Sequence, residues 1–283
     1  MNRRDCLKLL ATALATPDVR PRVLQPALSA RPGDRLDRIG VQLYTVRQAM
    51  AQDFEGTLAR VAEIGYREVE FAGYFNRDAK AARAALDAAG LDAPAAHIPL
   101  ENLRTRWPQT LDDARVVGHR YLVVPSLPTE DSRTLDGYRA VADLFNRAAE
   151  EARGAGIRLG FHNHAGEFAP LSGRIPYDVL LEETDPRLVW FELDLYWIAR
   201  GGGDPLAYFA RYPGRFSMVH VKDMDATPQQ GMVDVGAGVM DFKRIFARRE
   251  QAGIRHCFVE HDNPESPFDS IRRSFDYLRQ LEF

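Results

Sequence analysis

The chain has 283 residues, 45% of them apolar and 27% charged, proportions ordinary for a globular enzyme with a sizeable core. No run approaches the roughly 18 apolar residues a bilayer-spanning helix requires, which argues against a membrane span. Net charge is −3, and residues 1–30 carry Arg3, Arg4, Lys8, Arg20 and Arg22 against Asp5 and Asp18, so the body is more acidic still and lacks the basic footprint of a nucleic-acid binder.

In chain order the first segment is a leader. Arg3-Arg4 followed by Leu7-Lys8 and a short apolar run resembles a twin-arginine export signal, with small-residue cleavage sites after Ala15 or Ala30. Cys6 stands where that pattern usually carries Phe, and the apolar stretch ends early at Asp18 and Arg20. The alternative is a basic tail on a cytoplasmic protein. The expectation is a leader over residues 1–35, a periplasmic location and one domain over 36–283. Cys6 and Cys257 are the two cysteines, which leaves the body without an internal disulfide.

From Ile39 onward one grammar repeats: a short apolar run, a polar loop, an amphipathic stretch, then often a glycine before the next run. The spacing predicts strands at Ile39–Val46, Glu68–Gly73, Ala93–Pro99, Tyr121–Ser126, Arg158–Asn163, Leu188–Leu195, Phe216–Lys222 and His256–Glu260. Amphipathic stretches such as Gly56–Ile64 and Leu135–Ala155 separate them, and glycines at 65, 90, 156 and 253 sit where helices end in left-handed caps. Eight strictly alternating units predict parallel strands in an α/β fold, a closed (β/α)8 TIM barrel. An open doubly wound sheet usually has a glycine-rich turn after its first strand. Here that strand runs into Tyr44-Thr45-Val46-Arg47 with no GxGxxG. The Pro/Gly-rich stretch 225–238 reads as a loop over the barrel mouth.

Active sites of such barrels gather at the C-terminal strand ends. Gln42, Tyr44, Glu70, His97, His162, Asn163, His164, Glu167, Asp194, His220, Lys222, Asp223, Glu260, His261 and Asp262 all fall there. Five of the seven histidines are among them, and only His119 and His256 are not. His162, Asp194, His220 and Glu260, on four different strands, converge only if the sheet closes. A divalent cation is then the economical partner for their buried charge. Imidazole mixed with carboxylate ranks Mn²⁺ first, with Co²⁺, Zn²⁺ and Fe²⁺ next and Mg²⁺ less favoured. A closed structural zinc site would normally favour cysteine ligands.

These residues resemble the xylose isomerase-like superfamily, in particular its sugar phosphate isomerase/epimerase group. The resemblance rests on Ile39-Gly-Val-Gln-Leu-Tyr-Thr-Val46, Leu159-Gly-Phe-His-Asn-His-Ala-Gly-Glu-Phe168, Phe191-Glu-Leu-Asp-Leu-Tyr-Trp197, Val219-His-Val-Lys-Asp223 and Phe258-Val-Glu-His-Asp262, and spans residues 39–281. It implies a xylose isomerase-like barrel with one metal held by His162, Asp194, His220 and Glu260. It also implies proton abstraction beside a carbonyl of a sugar or cyclitol through an enediolate that the ion stabilises. Many members carry Glu where this chain has His162, and in those epimerases two glutamates flank the substrate and exchange protons with it. His162 breaks that symmetry and leaves Glu260, His164 or His97 as base or acid, with Glu167 a further candidate. Lys222 is expected to stabilise oxygen charge or bind a hydroxyl, its alternative being an ion pair with Asp223 or Glu192. Gln42, Tyr44, Glu70, Trp197 and Glu167 are expected to contact substrate, with Tyr196 and Phe71 as further apolar wall.

Isomerisation, epimerisation and β-elimination from a 3-keto-glycoside all remain open, the last slightly favoured by the loss of the second carboxylate. An endonuclease IV-like metal nuclease and a non-catalytic sugar-binding barrel are more distant alternatives. The expected partners are a small sugar substrate and, as an assembly, a homodimer, but not nucleic acid.

Overall fold

The computed structural model describes residues 33–283, in which the eight apolar runs pair as parallel strands and close into a barrel. The barrel strands are β1 (Gly40–Gln42), β2 (Glu68–Phe71), β3 (Asp92–His97), β4 (Tyr121–Val124), β5 (Arg158–His162), β6 (Val189–Asp194), β7 (Phe216–Val221) and β10 (His256–Val259). Around the ring they follow the order β1-β10-β7-β6-β5-β4-β3-β2. The stretch read as an irregular mouth loop contains a small antiparallel ribbon, β8 (Asp223–Met224) with β9 (Met232–Val233). The first strand is shorter than expected. The Gln42 side chain accepts the Tyr44 N–H at 3.0 Å and turns Leu43–Val46 into a short 3-10 helix.

Side chains alternate across each strand, so one set packs outward under the helices and the other fills the barrel. Leu159, Phe161, Phe191, Leu193, Val219, Val221 and Val259 belong to the large core between sheet and helices. Ala95, Tyr121, Val123, Met218 and Phe258 form a separate apolar plug. Gly40 exists for that plug, because a Cβ at this position would lie 2.5 Å from Phe258 Cδ1. The helix Ala79–Ala89 ends at Gly90, whose φ of 66° is the left-handed conformation read from the sequence. His119, away from the strand ends, is a structural residue. One ring nitrogen reaches Ala93 O at 2.6 Å and the other the Tyr74 hydroxyl at 3.0 Å.

The expected leader falls, over residues 1–32, outside the described residues. Asp34 and Arg35, assigned to it by sequence, are tied to the body. The Phe283 N–H donates to Asp34 O at 3.0 Å, Arg249 donates to Arg35 O at 3.1 Å, and Arg35 pairs with Glu282. No helix among the described residues is long and apolar enough to cross a membrane.

Replacing Gly40 by Val puts methyl groups into the Phe258 ring and is expected to cost about 1–3 kcal/mol. Urea unfolding measures this, and adding Phe258→Leu is expected to recover part of the loss. An unchanged midpoint for Gly40→Val would show that the plug tolerates overfilling.

Candidate active site

The site is built where β5, β6, β7 and β10 end. Asp194 closes β6 and starts the helix Leu195–Arg200, its Oδ1 accepting the Trp197 N–H at 2.8 Å in an N-cap. That bond uses one carboxylate oxygen and leaves Oδ2 facing the barrel axis. Asn163 accepts the Asp194 backbone N–H at 3.0 Å and fixes the turn. On β5, His162 Nδ1 lies 3.3 Å from Pro125 O, and a neutral ring that donates there presents Nε2 as its lone-pair nitrogen. Nε2 stands 3.2 Å from Asp194 Oδ2. On β7, His220 Nδ1 is 2.7 Å from Glu260 Oε2 and 3.8 Å from Asp194 Oδ2. Despite the short approach it makes no hydrogen bond of acceptable angle.

Four potential ligand atoms so close together are aimed at a common point. One donor atom from each of His162, Asp194, His220 and Glu260 lies within 4.8 Å of the others, and all four residues are buried. Two imidazoles and two carboxylates suit a borderline divalent ion. Behind this group, His220 Nε2 meets Glu70 at 2.7 Å and Glu192 at 3.1 Å. Such carboxylate backing orients a ligating histidine and raises its basicity. The residues therefore fit one metal ion.

The electrostatics agree. Burial, reinforced by the neighbouring histidines His220, His164 and His97, pushes His162 well below the ordinary histidine range and keeps it neutral. Burial alone would raise Glu260, but Lys222 and His220 outweigh it and hold the carboxyl well below its usual range. His220 is raised well above its ordinary value, burial being overcome by Glu192 and Glu260. It therefore releases a proton when it becomes a ligand. Burial opposes the charge on Lys222, yet Asp194, Glu260 and Asp262 raise its pKa.

The other expected residues separate by depth. His97, His164, Lys222, Glu260 and Tyr44 line a cavity of about 540 Å³ at the barrel mouth. His97 Nε2 is bonded to Glu192 at 2.8 Å. Tyr44, 41% exposed, forms the lip and carries the Arg47 guanidinium 4.0 Å above its ring. Trp197 flanks the site, half-buried, against the His164 ring at 5.6 Å and with Lys222 Nζ 5.8 Å from its own.

Gln42 and Glu70, expected at the substrate, are instead wholly buried beneath the ligands, where the Gln42 amide donates to Glu70 at 2.8 Å. Glu167 is also set back, its carboxylate accepting the His164 backbone N–H at 2.8 Å as a brace for the turn Ala165–Phe168. Tyr196 and Phe71 are buried and do not line the cavity. Lys222 pairs with Asp194 (3.1 Å), Glu260 (2.8 Å) and Asp262 (2.6 Å), not with Asp223 or Glu192. Asp223 turns away and accepts backbone N–H groups of Gly236, Gly238 and Met240, which fastens the mouth loop.

Sequence reasoning gave Glu192 no place in the site except as a partner for Lys222. The signal was there: it precedes Asp194 by two residues on one strand and so shares its face. Asp262 was noted at a strand end but not as the third carboxylate on Lys222.

The family model described as xylose isomerase-like TIM barrel matches residues 58–281, and the chain belongs to that family. The chain is 28% identical, over 68% of its length and 74% of the relative's, to an inosose dehydratase of Geobacillus kaustophilus (strain HTA426). Among solved structures it is similar to a sugar phosphate isomerase/epimerase from Parabacteroides distasonis ATCC 8503. There the TM-score is 0.76 and the identity 29%, covering 90% of this chain and 98% of that one. The fold also matches an IolI protein solved with a bound zinc atom, with a TM-score of 0.67, 13% identity and coverage of 84% and 95%.

Purified protein is expected to retain one divalent ion per chain by elemental analysis. Glu192→Gln, which weakens the backing of His220, is expected to lower metal affinity roughly 10- to 100-fold in a chelator competition, and Asp194→Ala by more. Wild-type affinity in both variants would remove the ligand assignment.

Proposed function

We propose that this protein is a divalent-metal-dependent lyase. It would remove a proton beside the carbonyl of an uncharged keto-sugar or keto-cyclitol and expel a β-substituent, water or a glycosidic oxygen. The observation that carries the reading is the mixed character of the groups at the cavity. Imidazoles of His97 and His164 accompany a single ligating carboxylate there, Glu260, in place of two opposed ones. An elimination is well served by one neutral group that takes a proton and one protonated group that gives one, and an epimerisation by two like groups on opposite sides.

His164, lowered by burial, is neutral and suited to take the α-proton. His97 is raised, because Glu70 and Glu192 overcome the effect of its burial, and is suited to protonate the departing oxygen. The α C–H electron pair forms the new double bond, conjugated with the carbonyl, and the leaving group departs with the His97 proton. His162, Asp194, His220 and Glu260 would hold the ion, for which we place manganese first. When bound, it would polarise the carbonyl and stabilise the enediolate charge. Lys222, its three donors directed at Asp194, Glu260 and Asp262, would hold these carboxylates in place at the cavity wall. No arginine lines this cavity among the described residues, which supports an unphosphorylated substrate. The dehydratase name of the Geobacillus relative supports the same reaction class.

Inososes and 3-keto-glycosides incubated with the metal-loaded enzyme in D₂O test the proposal. Elimination yields a conjugated enone absorbing in the ultraviolet, whereas deuterium incorporation without that absorbance would replace the lyase reading by an epimerase or isomerase. His164→Gln and His97→Gln are each expected to lower kcat roughly 10²- to 10⁴-fold while retaining the metal.

We further propose that the Arg3-Arg4 leader directs export to the periplasm. Fractionation is expected to find the wild type there and an Arg3→Lys/Arg4→Lys variant in the cytoplasm, and identical distributions would overturn the proposal.

A further inference from the structure

The opposite end of the barrel carries a second cavity, of about 670 Å³, framed by the beginnings of β4, β5, β6, β7 and β10. Its wall is cationic in a protein of net charge −3. Arg120 precedes β4, Arg158 opens β5 and Arg255 precedes β10, and all three line the cavity. No carboxylate within ion-pair distance of any of them is present among the described residues, whereas Arg38, Arg187 and Arg249 are each paired with one.

Arg158 is held by neutral groups only. It donates to the Tyr121 hydroxyl at 2.7 Å, and its guanidinium lies 5.4 Å from the Tyr121 ring centre and 5.1 Å from that of Trp190. Tyr121 is 2% exposed, so the support is rigid. Aromatic faces steady a guanidinium without neutralising it, and its remaining N–H donors stay available. Three guanidiniums face one lining carboxylate, Glu250. Glu250 is exposed and lies 3.7 Å from Arg249, and the buried Glu68 is shared by His256 at 2.8 Å and Arg38 at 3.3 Å. The backbone fixes the frame as well. The Arg158 N–H donates to Arg120 O at 2.9 Å and the Arg255 N–H to Ser217 O at 2.8 Å, so the arginines stand at the rim by strand register rather than by loop placement.

We infer that this cavity is a binding site for a small multivalent oxyanion, a phosphate or sulfate group free or esterified, held by Arg120, Arg158 and Arg255 and remote from the catalytic mouth. Three guanidiniums lining one cavity supply the forked N–H donors that bind tetrahedral oxyanions bidentately. The apolar plug of Tyr121, Val123, Met218, Phe258 and Ala95 separates the site from the metal-ligand cluster, so the two bind independently.

Inorganic phosphate, and separately sulfate, titrated into the full-length metal-loaded protein at constant ionic strength tests this by calorimetry. Saturable binding of one anion per chain in the millimolar range or tighter is expected. Arg120→Ala/Arg255→Ala is expected to weaken it at least about tenfold, as is Arg158→Gln alone. The exposed rim pair Arg120→Ala/Arg255→Ala tests the site without disturbing the aromatic support, and its unfolding midpoint reports folding. Absence of saturable binding in the wild type, or equal affinity in a folded Arg120→Ala/Arg255→Ala variant, overturns the proposal.

Discussion

Four carboxylates, Glu70, Glu192, Asp194 and Glu260, open into one water-poor volume at the centre of the barrel, and their mutual repulsion governs what surrounds them. At the low effective dielectric of such a place, uncompensated charges a few ångströms apart are far too costly to retain. Lys222, His97 and His220 supply part of the answer, and the convergent atoms of His162, Asp194, His220 and Glu260 supply a seat for the rest. Lys222 shows the constraint at work. A buried ammonium is normally destabilised, yet here three carboxylates within 3.1 Å hold its proton. Once formed, such a group is hard to alter one member at a time, because each removal strands a buried charge.

Barrel geometry sorts this chemistry by height. Inward residues recur at every second position, so β6 places Glu192 and Asp194 on one face and β7 places Met218, His220 and Lys222 on one face. Register then sets the levels. Asp194 pairs with His220 and Glu192 with Met218, so Glu192 lies one layer lower, level with the apolar plug. Below the plug the inward groups change character, to Glu68 with His256 and then to the arginine rim. The catalytic end thus gathers anions to hold a cation, and the far end gathers cations. A layer of Tyr121, Val123, Met218 and Phe258 keeps their fields apart.

The strands were legible because each is a short apolar run between polar loops, and the helix ends because glycine marks them. The convergence of His162, Asp194, His220 and Glu260 was legible for a different reason: closure brings strand ends together whatever the loops do. Depth was not legible. Gln42 and Glu70 were expected at the substrate because they end their strands. In the ladder, however, Gln42 pairs with Glu70 and Glu70 with Ala95, two residues below His97. That offset depends on the stagger of the barrel and on an irregularity between Glu68 and Glu70, which no local pattern encodes. The expectation for Lys222 failed through adjacency. Asp223 is its neighbour in sequence, but the strand's alternation turns that side chain away to bind the mouth loop.

The residue at position 162 carries the last consequence. A glutamate there would give the ion three anionic ligands, more negative charge than a divalent cation cancels. With the neutral His162 the shell would hold two, Asp194 and Glu260, matching the charge of a divalent ion. Fewer anionic donors leave more of the cation's charge for a substrate oxygen, which matters most where negative charge builds up on that oxygen. A histidine at this position also supplies no carboxylate to take a proton, and in the proposed reaction that part would fall to His164, two residues further along and lining the cavity. In the proposed elimination, one side chain would thus bear on both the charge balance and the proton path.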